Sequence, residues 1–288
     1  MLIFRSIIFK EKKMGKYKVV VSDLDGTLLN NNKEVSEENK AAIREMRNMG
    51  VHFVASSGRC LSEMPEEIIE NPDIRYVSCS DGAVIYDKTT GEAIVKNYMP
   101  REVAKKCADI LRDYEILPMT HRGGELLIDR DRYNHEIYVY NNVTLPFEKL
   151  MGELGVRVDD CLTALENSDE AELFCVFFHS QDELLSCVER LLATGEVKVA
   201  ASERFNIEVY YKNAGKGRAL APFAELLGCD VSEVIAVGDS KNDIEMVEMA
   251  GLGLAMSNAM PELISVSDEV ICSNEEHAAK YILENYIK

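Results

Sequence analysis

A chain of 288 residues, 47% of them hydrophobic, is long enough for one large domain or two ordinary ones and lacks the composition of a disordered protein. Its 50 acidic against 32 basic residues leave a net charge of −18, which argues against nucleic acid and anionic membranes as partners. No apolar run approaches the roughly 20 residues that span a bilayer, and eight cysteines without a C-x-x-C pair read as buried reduced thiols of a cytoplasmic protein.

Residues 1–13, MLIFRSIIFKEKK, hold a short apolar stretch broken by Arg5 and followed by no small-residue cleavage site. They read as an upstream extension or a poorly ordered tail rather than a signal peptide. YKVVVSD is a β-branched run, expected as a strand buried on both faces. Ser36 reads as a helix N-cap, with Glu37 and Glu38 in the first turn, a stripe of Ala42, Ile43 and Met46, and Gly50 as the stop. VHFVASSG is a second strand, so the chain opens as a parallel α/β sheet.

The middle has another rhythm. AVIYDKTTGEAIVKNY reads as a hairpin turning near Thr90-Gly91. Helices are expected over 101–114, 145–154 and 181–193, with strands at ELLIDR, AELFCVFFHS, EVKVAAS and NIEVYY. This is an α+β unit inserted between two halves of an α/β domain. The last third returns to alternation. A helix over 217–227 leads to the strand EVIAVGD, and the helix KNDIEMVEMAG to the strand LGLAM. A short helix in AMPELISV, the strand DEVIC and a helix from near Asn274 complete the chain.

Three strands, KVVVSD, HFVASS and VIAVGD, end in small or acidic polar residues. Open parallel sheets bind ligands beyond the carboxyl ends of their strands, so Asp23, Ser57 and Asp239 should converge on one edge. Residues i and i+2 of a strand share a face, which puts Asp23 and Asp25 together. Two carboxylates so placed repel each other unless a divalent cation holds them. Magnesium (Mg2+) prefers oxygen ligands and leaves positions for water and phosphate oxygens. Asp239 and Asp243 lie four apart across a strand-to-helix junction, near enough to serve the same ion. The acidic cluster thus predicts a metal, and the metal a phosphorylated ligand.

These stretches resemble the four signatures of the haloacid dehalogenase superfamily, in order: DLDGTLL, Ser57 in ASSGR, Lys216 in AGKGRAL, and GDSKND. SDGAVIYD and the insert between the second and third signatures resemble the Cof-type subfamily. The resemblance implies a doubly wound, Rossmann-like parallel-sheet core over 14–84 and 210–288, with an α+β cap domain over 85–209. It implies Mg2+-dependent hydrolysis of small phosphomonoesters. Asp23 would be the nucleophile. Asp25 would be the acid and then the base, its backbone carbonyl also on the metal. Ser57, Gly58 and Lys216 would bind phosphoryl oxygens, Asn242 would orient the phosphate or Lys216, and Asp239 and Asp243 would be metal ligands, the latter directly or through water.

Plainer roles stand beside these. Asp25-Gly26 is also a turn pair, Ser57 also reads as a strand end, Lys216 also reads as a solvated first-turn lysine, with Lys212 its rival, and Asn242 and Asp243 also read as helix caps. None of the five histidines has metal-ligand spacing, and His121 is expected in a cap loop. The chain departs from the Cof-type pattern at Asp81, where asparagine is usual, and a carboxylate near the hinge would disfavour a second anionic group nearby or would have to be protonated or paired. NEEHAAKYI also lacks the usual late Asp-Gly. The competing functions are a phosphomutase and a non-catalytic phospholigand-binding protein. The expected partner is a small phosphorylated metabolite, and the chain itself is expected as a monomer or a homodimer.

Overall fold

The computed structural model describes residues 15–200 and 203–288, so the expectation for residues 1–13 lies outside it. The strands, in chain order, are β1 Val19–Asp23, β2 His52–Ser56, β3 Tyr76–Cys79, β4 Val84–Asp87, β5 Glu92–Lys96, β6 Ile116–Arg122 and β7 Glu125–Asp129. Then come β8 Val156–Val158, β9 Ala171–Phe178, β10 Val197–Ala200, β11 Asn206–Tyr211, β12 Val234–Gly238, β13 Leu252–Ala255 and β14 Glu269–Val270. They form an eight-stranded sheet of order β14-β13-β12-β1-β2-β3-β4-β5 and a six-stranded sheet of order β10-β11-β9-β6-β7-β8.

The first sheet is parallel from β14 to β3. Every residue of β1 and β12 is buried, as expected for strands covered on both faces. The helix Glu37–Asn48 covers one face with Ala42, Ile43 and Met46, and its Ser36 cap accepts from the Asn39 amide. From β1 the chain steps outward to β2 and β3 on one side, and to β12, β13 and β14 on the other. The switch point therefore lies between β1 and β12, where such sheets bind ligands.

The hairpin β4–β5 was expected within the inserted unit, but it extends the first sheet, and the expected boundary at 84/85 falls inside β4. The reason is burial: all four residues of β4 are inside, and the edge of β3 gives them a ladder partner. The second sheet is antiparallel except for β7 with β8. Its side chains alternate as a pleat requires. Phe174, Val176 and Phe178 of β9 pack under helices, whereas Leu173, Cys175 and Phe177 join Met119 on the face turned toward the first sheet.

Smaller differences have local causes. The helix expected over 217–227 begins at Leu220, after a turn, and the last one begins at Ala278. His121 is in β6, not a loop. All eight cysteines are free and six are buried. No helix among the described residues is long and apolar enough to cross a membrane.

Candidate active site

β12, β1 and β2 lie side by side, with Ser22 opposite Val237 and Asp23 opposite Ser56. Their carboxyl ends therefore bring Asp23, Ser57 and Asp239 to one edge. Asp23 is buried, and its Oδ1 accepts from Lys216 Nζ at 2.6 Å. Its Oδ2 is buried and has no hydrogen-bond partner. Lys216 is fully buried as well, and donates also to Asp243 Oδ1 at 2.7 Å. Burial works against the ammonium charge, but Asp23, Asp243 and Asp81 outweigh it and push its pKa up, so Lys216 stays protonated.

Asp23, Asp239 and Asp243 each bring a carboxylate oxygen within 4.8 Å of the others. Burial pushes the Asp23 carboxyl well above its usual range; Lys216 opposes this, and Asp243 and Asp239 add to it. Burial, then Asp243, pushes Asp239 up to about 6. Three carboxylates against one lysine leave surplus negative charge in a dry place. That surplus fits a divalent cation. The neighbouring glycine is fitted to the same place: Gly26 has φ +85°, and a Cβ there would sit 2.4 Å from Asp239 Oδ2.

Asp243 does two jobs. Its Oδ2 accepts from the amides of Asp239 and Ser240 at 3.0 Å each, closing the turn into the helix Ile244–Met249, while Oδ1 takes Lys216. Asn242 faces elsewhere: its amide donates to Asp81 Oδ1 at 2.9 Å, and its own oxygen accepts from Ser240 Oγ at 2.7 Å. Ser57 is buried, and its Oγ accepts from the Arg59 amide at 3.3 Å. Ser57 and Gly58 line one cavity with Asp23, Asp25 and Asn242.

Asp25 is set differently from its neighbour. Burial would raise its pKa, but Arg59 and Lys33 hold it below the ordinary carboxylate value. Arg59 approaches with Nε at 3.0 Å and Nη2 at 3.1 Å, and Lys33 Nζ lies at 2.8 Å from Oδ1. Asp25 thus has two cations beside it, whereas Lys216, the cation at Asp23, is shared with Asp243.

Asp81 sits in a left-handed turn, φ 51° and ψ 42°, with its amide bonded to the Ser57 carbonyl. Asn and Asp tolerate that conformation best among side-chain-bearing residues, so the backbone accepts either. The side chain is buried beside the phosphate-binding candidates, and its Oδ2 has no hydrogen-bond partner. Arg59, Lys33 and Glu63 are site residues that spacing did not single out; Arg59 lies two residues past Ser57, a position that could have drawn notice.

A family model for haloacid dehalogenase-like hydrolases matches residues 20–283. The phosphatase YwpJ of Bacillus subtilis is 30% identical over 290 residues, spanning 94% of this chain and all of that protein (100%). The 5-amino-6-(5-phospho-D-ribitylamino)uracil phosphatase YwtE of the same organism is 28% identical, spanning 94% of this chain and 98% of that one. Among solved structures, a haloacid dehalogenase-like hydrolase from B. subtilis superposes with TM-score 0.75 at 26% identity, over 93% of this chain and 99% of that one.

Proposed function

The chain belongs to the haloacid dehalogenase-like hydrolases and is a Cof-type phosphatase, and from that premise we propose that it hydrolyses small phosphomonoesters with Asp23 as nucleophile. Sugar phosphates and cofactor- or nucleotide-like phosphates are the substrate classes. The observation that carries this reading is the unpartnered Asp23 Oδ2 at the edge of a cavity, with Lys216 fixed on the other oxygen. Oδ2 attacks phosphorus, the bond from phosphorus to the leaving oxygen breaks, and Asp25 delivers a proton to that oxygen. Asp25 then takes a proton from water, the water oxygen bonds to phosphorus, and the aspartyl-phosphate opens to inorganic phosphate and free Asp23.

Lys216, Ser57 and Gly58 bind the transferring phosphoryl oxygens. Arg59 and Lys33 keep Asp25 ionised in the resting protein, which is the form the second half needs; the first half requires substrate to loosen that pair. Magnesium would be held by Asp23, Asp239 and Asp243 together with the Asp25 carbonyl. When bound it supplies positive charge that lets a phosphate dianion approach carboxylates. By this reading the first sheet is the core and the segment from the end of β5 to the end of β11 is the cap.

The test is phosphate release from a panel of phosphomonoesters, with magnesium and with a chelator, beside Asp23→Asn. One relative is named for 5-amino-6-(5-phospho-D-ribitylamino)uracil, so a phosphorylated ribitylamino-pyrimidine belongs in the panel. Release that needs magnesium and disappears in Asp23→Asn, whose melting temperature stays near wild type, is the expected result. Activity near wild type in Asp23→Asn removes the nucleophile assignment.

A further inference from the structure

Cys60, Glu63 and His121 form a cluster that the chemistry at Asp23 does not use. All three are buried, and each offers a ligand atom, the three atoms lying within 4.8 Å of one another. Cys60 and Glu63 belong to the turn after β2. There the Glu63 carboxylate accepts from the Cys60 amide at 2.7 Å, which folds it back beside the thiol. His121 comes from β6, in the second sheet. A thiol, a carboxylate and an imidazole thus meet across the two sheets.

The contact between His121 and Glu63 has the geometry of two ligands. Nε2 lies 3.3 Å from Glu63 Oε2, yet it is buried and makes no hydrogen bond. The gap is short enough to bridge, so the misfit is one of direction. An ion shared by two ligands lies off the line that joins them. A tetrahedral zinc ion, about 2.0–2.1 Å from each nitrogen or oxygen ligand, sets such a pair about 3.3 Å apart.

The surrounding contacts are those a bound ion needs. His121 Nδ1 lies 3.1 Å from Ser80 Oγ, and Ser80 is anchored in turn by Glu172 Oε2 at 2.6 Å. A ring ligating through Nε2 therefore has its other nitrogen held. Cys60 Sγ has Ser62 Oγ at 3.3 Å, a hydroxyl able to donate to a thiolate. Burial, then Glu63, pushes the Cys60 thiol up, so it keeps its proton until an ion displaces that proton to solvent. A thiolate, a carboxylate and a neutral imidazole carry two negative charges, which a divalent ion balances. Glu63 and His121 also line the cavity at Asp23, which gives the ion a way in and a water as fourth ligand.

We propose that Cys60, Glu63 and His121 form a site for a thiophilic divalent cation of the zinc class, tying the turn after β2 to β6 of the second sheet. Sulfur, nitrogen and oxygen donors together suit zinc or cobalt, whereas magnesium keeps to oxygen ligands such as the carboxylates at Asp23, Asp239 and Asp243. Bound there, the ion holds β6 against the loop that carries Ser57, Gly58 and Arg59.

The test is a cobalt(II) titration of the reduced full chain, with excess magnesium to compete at the carboxylate cluster. A near-ultraviolet thiolate-to-cobalt charge-transfer band should grow to one cobalt per chain and disappear when zinc is added. Cobalt bound without that band overturns the proposal. Cys60→Ser should abolish the band, and its persistence would assign the thiolate to another cysteine and overturn the site. His121→Gln should weaken cobalt by about tenfold or more, and an unchanged affinity counts against it equally. If either variant loses cooperative melting, wild type decides alone. Zinc should slow alkylation of Cys60, located by peptide mass mapping, more than that of any other cysteine, and equal slowing overturns the proposal. None of these readouts needs turnover, so they stand apart from the phosphatase assay.

Discussion

Lys216 is asked to serve Asp23 and Asp243 at once, and Asp239 receives no contact from it. Asp239 bonds only at the limit of hydrogen-bond length, 3.5 Å from Thr27 Oγ1. Its carboxyl is pushed up to about 6, first by burial and then by Asp243. A carboxyl raised in the folded state favours folding below its unfolded pKa, and that contribution is lost as pH rises through the folded value. In chelator, wild-type melting temperature should therefore fall between pH 4 and about pH 6 by more than that of Asp239→Asn. Above pH 7 the variant should be the more stable by about 1 kcal/mol, after allowance for partial exposure, and should gain less from added magnesium. Parallel melting curves would show that burial and Asp243 do not raise the Asp239 carboxyl. Asp23 ends a buried β-branched strand, Asp239 follows another and Asp243 leads into the next helix, which made these three legible. Arg59 and Lys33 were not, because their shared partner Asp25 is 34 and 8 residues away, and only the path of the chain brings them to it.

Elements were legible where one period governs them. β1, β2, β12 and β13 are apolar runs between glycines and polar ends, and the helix Glu37–Asn48 announces both its cap and its stripe. β6 was missed because Pro118 sits in its middle, and proline normally marks an edge. The structure shows how it is accommodated: Pro118 pairs with Val176 of β9, while pairing with β7 starts only at Met119. The hairpin β4–β5 is readable as a hairpin, but nothing local says which sheet edge it will meet. Its attachment can be tested through Asp87, the last residue of β4. Asp87 is held below the usual carboxylate range first by its hydrogen bond to Arg75, with Oδ2 at 3.0 Å from Nε and 2.6 Å from Nη2. A lowered carboxyl stabilises above its unfolded pKa, and the contribution disappears as pH falls through the folded value. Asp87→Asn should thus cost about 1–2 kcal/mol at pH 7, and the difference should shrink as pH falls through and below the ordinary carboxylate range. Equal melting temperatures at pH 7 would show that the pair contributes nothing.

For the whole molecule, the net charge of −18 sets a field that a phosphate dianion must cross to reach Asp23. Salt screens that field: the Debye length falls from about 30 Å at 0.01 M to about 8 Å at 0.15 M. Raising salt over that range at constant magnesium should lower KM by about twofold or more, measured with an inert salt such as potassium chloride. A KM that rises instead would mean that local cations near Asp25 attract substrate more strongly than the molecule repels it. At this scale the two-part organisation was readable from the change of rhythm along the chain. The approach of the second sheet over the site was not, because it depends on how Met119, His121 and Cys175 face across a gap that no local pattern records. The order of the first sheet also has a consequence for how the protein is made. β1 carries Asp23, yet one of its two neighbours, β12, and the lysine that Asp23 meets come from the far end of the chain, 193 residues on in the case of Lys216. As the polypeptide leaves the ribosome amino end first, β1 waits with an open edge while the whole second sheet is translated. No nascent chain that ends before Lys216 holds both members of this buried pair, so the pair can close only after the second sheet has been translated.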